Sequence, residues 1–212
     1  MQTITEIAIE NAHGSVFTRG EASLWADNDG PRLDALLKRA TGAGEIVRIR
    51  RGLFVLSPRY RHDPIHLFVL AQLIHGPSYI SLESALAHHG WIPEAVYTLA
   101  NVTLKRSRVF DTPLGRFSYT RIPQEPLYAG VQRLELPATG CFFMASPLKA
   151  LADYVYVNRC DWTGLTPLLG SLRIDEAELA TLTGTMFDIL SDVYRTGRVC
   201  RFLAGIRKEM GL

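Results

Sequence analysis

The sequence is poor in cysteine, and its cysteines form no binding pattern. Cys141, Cys160 and Cys200 are odd in number, lie far apart and never form a C-x-x-C pair. Disulfide frameworks and structural zinc sites are indicated by paired cysteines at characteristic spacings. We therefore expect three free thiols, with no disulfide and no structural zinc.

The chain also lacks long apolar runs. No stretch approaches the roughly 18 uninterrupted apolar residues of a membrane span. The start, Met-Gln-Thr-Ile-Thr-Glu, has no basic region followed by an apolar run. Of 212 residues, 47% are hydrophobic and 21% charged, which is typical of a globular protein with one large domain or two small ones. These features predict a cytoplasmic protein with no membrane partner.

Motifs of metal and cofactor chemistry are missing as well. The sequence contains no HExxH, no G-x-G-x-x-G and no G-K-[ST] phosphate loop. His62 and His66 are four residues apart, and His88 and His89 lie close to Glu83. Without the HExxH pattern these histidines favour surface or helix-end positions over metal ligation. We expect no metal site and no cofactor.

A hydrolase site is not indicated either. Ser81, Ser84 and His88 lie near Glu83, but the G-x-S-x-G elbow is absent and one short helix cannot orient a triad. Helix capping explains Ser81 better. We predict that the chain is not an enzyme; an enzyme acting on nucleic acid is the weakest of the alternatives, because clustered carboxylates are lacking.

Positive charge is concentrated in residues 32–61. This window has eight basic and two acidic residues, a net charge of +6, whereas the whole chain carries +2, so the remainder carries −4. The basic residues are Arg32, Lys38, Arg39, Arg48, Arg50, Arg51, Arg59 and Arg61. Such a local excess is typical of a nucleic-acid-binding surface.

Helix-start signals precede and open this window. Ile4, Ile7, Ala8 and Ala12 recur at helical spacing and predict a first helix. Thr18 and Glu21 fit the S/T-x-x-E capping box of a second helix. A turn over residues 27–30 is followed by Pro31, a residue favoured at the first position of a helix, which predicts a third helix.

The third helix divides into an apolar and a polar face. At 100° per residue the apolar face comprises Leu33, Leu36, Leu37 and Ala40. The opposite face comprises Arg32, Asp34, Ala35, Lys38 and Arg39. After Gly42 and Gly44, residues 46–56 predict a hairpin around Arg50-Arg51-Gly52. Three helices and a basic hairpin in this order predict a winged helix-turn-helix over residues 1–60.

This arrangement suggests how DNA would be bound. Arg32, in the first turn of the third helix, is the candidate for reading guanine, and Ala35 for contacting a thymine methyl group. The other residues assigned to the interface are Arg19, Lys38, Arg39, Arg48, Arg50 and Arg51, of which the five from Lys38 onwards are expected phosphate contacts. Asp34 either accepts from cytosine N4 or is a solvated first-turn acid. An ordinary solvated basic face is the alternative interpretation.

Residues 61–212 predict a second domain with a small sheet and several helices. Strands are expected at 96–104, 115–122 and 141–145. Helices are expected at 65–74, from Ser81 to Leu86, from Pro147, at 175–194 and at 199–210. With the first domain this makes the chain α+β.

Two further basic segments have open interpretations. In residues 194–208 an apolar stripe of Val199, Phe202, Leu203 and Ile206 accompanies several arginines. Docking of this stripe on the second domain is favoured over a partner or nucleic-acid surface. Lys105, Arg106 and Arg108 form a smaller cluster, which a solvated strand edge would equally explain.

The segment Tyr79-Ile-Ser-Leu-Glu-Ser-Ala-Leu-Ala-His-His-Gly90 resembles the AbiEi-type antitoxin and transcriptional regulator family of type IV toxin-antitoxin systems. Further segments follow in the family's order, at residues 17–18, 48–54, 102–103, 108–110, 112–119 and 145–153. The resemblance covers residues 17–153; its combination of segments is more specific than any one of them. Leu148 stands where the family commonly has Glu, and residues after Asn158 show no match.

The resemblance implies a winged-helix DNA-binding domain followed by an antitoxin domain. Such a protein represses its own operon, from repeated sites in its promoter, and counteracts a nucleotidyltransferase-like toxin encoded beside it. Two alternatives stay open. The chain is a solitary winged-helix regulator without a toxin, or it is a protein-interaction module whose basic surfaces engage an acidic partner.

Overall fold

The chain contains both helices and strands, which follow one another in blocks, and the fold class is mixed α+β. This is seen in a computed structural model that describes residues 2–61, 63–94, 96–137 and 140–212. In these ranges no helix is both long and apolar enough to cross a membrane. The described residues divide into two compact units, which are taken in turn.

The first unit begins with three helices and three short strands. They are α1 (Ile4–Asn11), β1 (Val16–Thr18), α2 (Arg19–Trp25), α3 (Pro31–Gly42), β2 (Ile46–Arg50) and β3 (Leu53–Leu56). The predicted capping box is confirmed, because Thr18 Oγ1 accepts from the Glu21 amide at 3.2 Å and the Glu21 carboxylate accepts from the Thr18 amide at 2.7 Å. Pro31 is at the first turn of α3, as predicted.

The strands form an antiparallel sheet in the order β1-β3-β2. The predicted hairpin is therefore present, with Gly52 at φ 75° in its turn. β1 was not expected, because three residues are too few to show alternation. Its Phe17 stacks on Phe54 with ring centroids 5.7 Å apart, in a core shared with Leu33 and Leu37 of α3. This core anchors one face of α3 against the sheet.

The first unit extends through α4 (Leu67–Ile74) and also includes Asp111–Leu114 and Glu135–Cys141. The second unit comprises His75–Phe110, Gly115–Leu134 and Phe142–Leu212. The division of the chain at residue 60 into a DNA-binding and a second functional domain stays a prediction.

Strands from the rest of the chain form a six-stranded sheet. They are β4 (Ser78–Ile80), β5 (Thr98–Thr103), β6 (Arg108–Thr112), β7 (Gly115–Arg121), β8 (Val131–Leu136) and β9 (Gly140–Ala145), in the order β6-β7-β5-β4-β9-β8. β5 pairs with β7 in parallel and with β4 antiparallel. The edge strands β6 and β8 were not expected, because their side chains are largely exposed and show no apolar alternation.

The remaining helices belong to the second unit. They are α5 (Leu82–His88), α6 (Pro147–Val157), α7 (Thr166–Ser171), α8 (Glu176–Leu179), α9 (Gly184–Leu190) and α10 (Gly197–Glu209). The single helix expected over 175–194 is wrong: it is divided into α8 and α9, since Thr183 is extended and Gly184 follows it. The apolar stripe of α10 is buried against this unit, as the docking interpretation predicted.

Candidate nucleic-acid interface

Helix α3 has the two faces that its sequence predicts. Leu33, Leu37 and Ala40 are buried and Leu36 is partly buried. The residues predicted for the opposite face are all exposed: Arg32, Asp34, Ala35, Lys38 and Arg39. The buried face packs in the core of the first unit, so the polar face is presented to solvent.

One row of α3 lines a groove shared with the hairpin. Asp34 and Lys38, which are exposed, and Thr41, which is partly buried, are spaced at one helical turn along this groove of about 690 Å³. The lining of this groove also includes Arg48 and Arg51 of the hairpin. Cations from a helix and from a neighbouring hairpin thus converge on one concave surface, which suits an anionic backbone.

A second exposed row of α3 lies outside the groove. Arg32, Ala35 and Arg39 share a face at helical spacing and do not line the groove. Arg32 and Ala35 are therefore on one row, whereas Asp34, Lys38 and the hairpin arginines are around the groove beside it.

Arg19 forms hydrogen bonds within the protein. Its Nε donates to Oδ1 of Asp34 at 2.7 Å, and its Nη1 donates to Oδ1 of Asp29 at 2.8 Å. The guanidinium group lowers the pKa of the Asp34 carboxyl chiefly by donating this hydrogen bond. Arg19 lines the groove, but its guanidinium is held by two carboxylates. Its predicted role as a DNA contact therefore competes with a role inside the protein.

Arg50 is also bonded to the protein's own backbone. Its Nη2 donates to the carbonyl of Leu73 at 3.1 Å, and its Nη1 to the carbonyl of Arg51 at 3.1 Å. Leu73 is in the last turn of α4, where helix carbonyls lack intrahelical partners. Arg50 thus caps α4, a function that the charge pattern alone did not indicate.

The side chains predicted to bind DNA fall into three groups. The groups are Lys38, Arg48 and Arg51 around the groove; Arg32, Ala35 and Arg39 on the second row; and Arg19 and Arg50, bonded internally. A scan of protein-family models and a search of curated proteins find no match to this chain.

The second unit contains a buried polar cluster that sequence reasoning missed. Lys149 and Asp153 of α6 are both fully buried, and Lys149 Nζ donates to Oδ1 of Asp153 at 2.9 Å. The same ammonium donates to Oε1 of Gln124 and to the hydroxyl of Tyr194, each at 2.5 Å. All three ammonium hydrogens therefore have acceptors.

The carboxylate of Asp153 is equally satisfied. Its Oδ2 accepts from the hydroxyls of Tyr79 at 2.8 Å and Ser81 at 2.7 Å, and its Oδ1 accepts from Tyr194 at 2.6 Å. The interpretation of Ser81 as a side-chain helix cap is wrong, because its hydroxyl makes no capping bond and is bonded to Asp153 instead. The cluster thus joins α6 to the sheet and to the segment before α10.

Burial shifts the pKa values of the lysine and the two tyrosines of this cluster. It lowers the pKa of Lys149, although the Asp153 carboxylate opposes the change. It raises the pKa of Tyr79 and Tyr194 well above the usual range, and the charge of Asp153 raises them further. The sequence signal was a lysine and an aspartate four residues apart in a helix that is otherwise apolar at its buried positions.

Two of the residues considered for metal ligation or catalysis, His89 and Ser84, contact the backbone of neighbouring elements. Within the described ranges no group of three or more His, Cys, Asp or Glu side chains is arranged to hold a metal ion; His62 lies outside those ranges. His89 Nε2 is 2.9 Å from the carbonyl oxygen of Ala145. Ser84 Oγ accepts from the Ala100 amide at 2.8 Å, linking α5 to β5.

Proposed function

We propose that the chain is a DNA-binding transcriptional repressor of its own operon, with α2, α3 and the β2–β3 hairpin acting as a winged helix-turn-helix. The observation that carries this proposal is the groove lined by α3 and the hairpin, to which Lys38, Arg48 and Arg51 all contribute. A basic helix row beside a basic hairpin suits a duplex whose backbone follows the groove while the helix enters the major groove.

Position along α3 would determine the task of each exposed side chain. Arg32 and Ala35, near the start of the helix, would meet base edges, and Arg39 the adjacent backbone. Lys38, Arg48 and Arg51 would neutralise phosphates, which adds affinity without sequence information. Each neutralised phosphate releases counterions, so that binding weakens steeply as salt rises.

Removal of the groove cations tests this proposal. The combined variant Lys38→Ala, Arg48→Ala and Arg51→Ala should bind the chain's own upstream DNA more weakly. The slope of log affinity against log salt should decrease in magnitude by about 2.7, at roughly 0.9 for each lost phosphate contact. The measurement is fluorescence anisotropy of labelled promoter DNA between low and physiological salt.

The matched control removes the same charge from another basic cluster. Lys105→Ala, Arg106→Ala and Arg108→Ala take three positive charges from exposed positions of the second unit. This control should keep the wild-type salt slope. The DNA-binding proposal fails if the groove variant keeps its affinity and slope, or if both variants lose them equally.

We also propose that the chain is the antitoxin of a type IV pair and counteracts a nucleotidyltransferase-like toxin in the cytoplasm. The support is the resemblance over residues 17–153. At the departure from the family pattern, Leu148 is fully buried, so an apolar side chain suits this position in this chain. Any toxin contact through a carboxylate there would be absent.

The gene beside this one decides between antitoxin and solitary regulator. An adjacent nucleotidyltransferase-like reading frame whose expression arrests growth, with growth restored by co-expression of this chain, is the expected result. A toxin that this chain does not neutralise, or no such neighbour, would favour the solitary regulator. Capture of an acidic protein without retardation of promoter DNA at low salt would favour the interaction module.

A further inference from the structure

Arg19 connects several parts of the proposed DNA-binding module. Besides its bonds to Asp29 and Asp34, its Nη2 lies 3.4 Å from the Gly30 carbonyl, and its backbone amide donates to the carbonyl of Gly52 at 3.0 Å. Its side chain is 35% exposed. The three guanidinium nitrogens therefore all face protein acceptors around the first turn of α3.

This pairing leaves part of the Asp34 carboxylate available. Oδ1 accepts from Arg19, the side chain is 59% exposed, and the residue lines the groove next to Lys38. In the described part of the chain Oδ2 of Asp34 has no hydrogen-bond donor. Arg19 thus fixes one carboxylate oxygen, offsets the negative charge and leaves the other oxygen as an acceptor.

A carboxylate acceptor is selective at the edge of a base pair. In the major groove cytosine presents its N4 amino donor, whereas guanine presents only acceptors and thymine an acceptor and a methyl group. Adenine presents a donor beside the N7 acceptor, and N7 would lie against the negative carboxylate. Cytosine is therefore the base that suits an aspartate in this place.

We propose that Asp34 is a specificity-determining residue that accepts a hydrogen bond from cytosine N4, and that Arg19 is a positioning residue that holds it. The inference rests on the proposed DNA binding and deepens it. Arg19 then acts through Asp34 and not through a phosphate. This role differs from that of Lys38, Arg48 and Arg51.

Selection of bound sequences from randomised duplex DNA tests the proposal. The unmodified chain should prefer cytosine at one position, and Asp34→Ala should lose about tenfold discrimination there and keep its other preferences. Arg19→Ala should weaken discrimination at the same position. Its salt slope should stay unchanged, whereas loss of a phosphate contact would decrease the slope by about 0.9.

Two further variants separate reading from folding. Asp29→Asn alters the other partner of Arg19 outside the groove lining and should keep the base preferences. Arg19→Lys keeps the positive charge but loses the guanidinium that hydrogen-bonds to Asp29 and Asp34 together. It replaces Arg19→Ala if circular dichroism shows that Arg19→Ala does not fold. Combining Asp34→Ala with Arg19→Lys should cost no more discrimination than Asp34→Ala alone.

The failures of the two proposals are distinguishable. A wild-type chain that selects no DNA would overturn the proposed function, and this inference with it. If the wild type selects a site and Asp34→Ala changes no base preference, only the inference is overturned. A decrease of about one in the salt slope of Arg19→Ala would likewise assign Arg19 to a phosphate.

Discussion

Two of the cation–carboxylate pairs in the described part of the chain are similar in length but lie in opposite environments. Arg19 and Asp34 are 2.7 Å apart with side chains 35% and 59% exposed. Lys149 and Asp153 are 2.9 Å apart and fully buried. The distances between the charged atoms are nearly equal. The pairs differ in the number of hydrogen-bond partners that their charged groups have.

At the surface, a charged group with unfilled hydrogen-bonding positions is solvated by water at little cost in free energy. Inside the protein the same unfilled positions are strongly unfavourable. Asp34 leaves an oxygen to solvent, which can be exchanged for a ligand donor. Asp153 is bonded to four donors, because a buried charge without partners is strongly unfavourable. The exposed pair can therefore take part in the proposed recognition of DNA, whereas the buried pair stabilises the fold.

The largest expected effect comes from breaking the buried pair. Asp153→Ala leaves the Lys149 ammonium buried without its counter-charge, and should lower the free energy of unfolding by about 3–5 kcal/mol. Denaturation by urea, followed by circular dichroism, measures this loss. Asp153→Asn, which keeps the shape, is the second variant if Asp153→Ala does not fold.

The matched control is an exposed pair in the same unit. Asp161 accepts from Arg198 at 2.9 Å with its side chain 76% exposed. Asp161→Ala should cost far less than Asp153→Ala. Equal losses in the two variants would contradict the contrast between buried and exposed pairs.

A smaller effect is expected from alkaline titration of the buried tyrosines. The folded-state pKa values of Tyr79 and Tyr194 are raised above 10, so their contribution to stability is present below pH 10 and is lost as the pH rises further. Lys149 acts oppositely, since its lowered pKa makes stability increase with pH up to its unfolded value of 10.5. Tyr194→Phe removes one of the two tyrosine contributions to stability that decrease as the pH rises.

The contribution of Tyr194 is obtained by comparing how steeply the free energy of unfolding changes with pH in the wild type and in Tyr194→Phe. Between pH 10 and 11 the unfolding free energy of Tyr194→Phe should fall less steeply than that of the wild type, by up to about 1.4 kcal/mol per pH unit. Urea denaturation at each pH is the measurement. Tyr97→Phe, at a side chain 92% exposed, is the control. Parallel slopes in all three proteins would show that Tyr194 does not titrate differently on folding.

The exposed region was more predictable from sequence than the buried cluster. Thr18, Glu21 and Pro31 act on adjacent backbone, and the faces of α3 follow from a spacing of 3.6 residues per turn, so local signals suffice. The Ser81 hydroxyl looked like a cap because position alone suggests one. Its actual partner, Asp153, is 72 residues away.

Long-range pairing also explains the other differences. Tyr194 is 45 residues from Lys149, and nothing between them indicates the contact. By charge alone Arg19 and Arg50 are indistinguishable from Arg48. In the structure, however, Arg19 donates to Asp34 and Arg50 donates to the carbonyl of Leu73. Charge counting identifies a basic surface but cannot tell which cations the protein itself uses.

The smallest effect we expect distinguishes two neighbouring cations of the hairpin. Arg50 donates to the carbonyl of Leu73 at the end of α4, so Arg50→Ala should lower stability by about 1 kcal/mol and leave the salt slope of DNA binding unchanged. Arg48→Ala should do the reverse, with unchanged stability and a slope smaller by about 0.9. Urea denaturation and salt-dependent anisotropy measure both quantities. A decreased salt slope for Arg50→Ala would place Arg50 among the phosphate contacts. The proposed difference between Arg48 and Arg50 would then be contradicted.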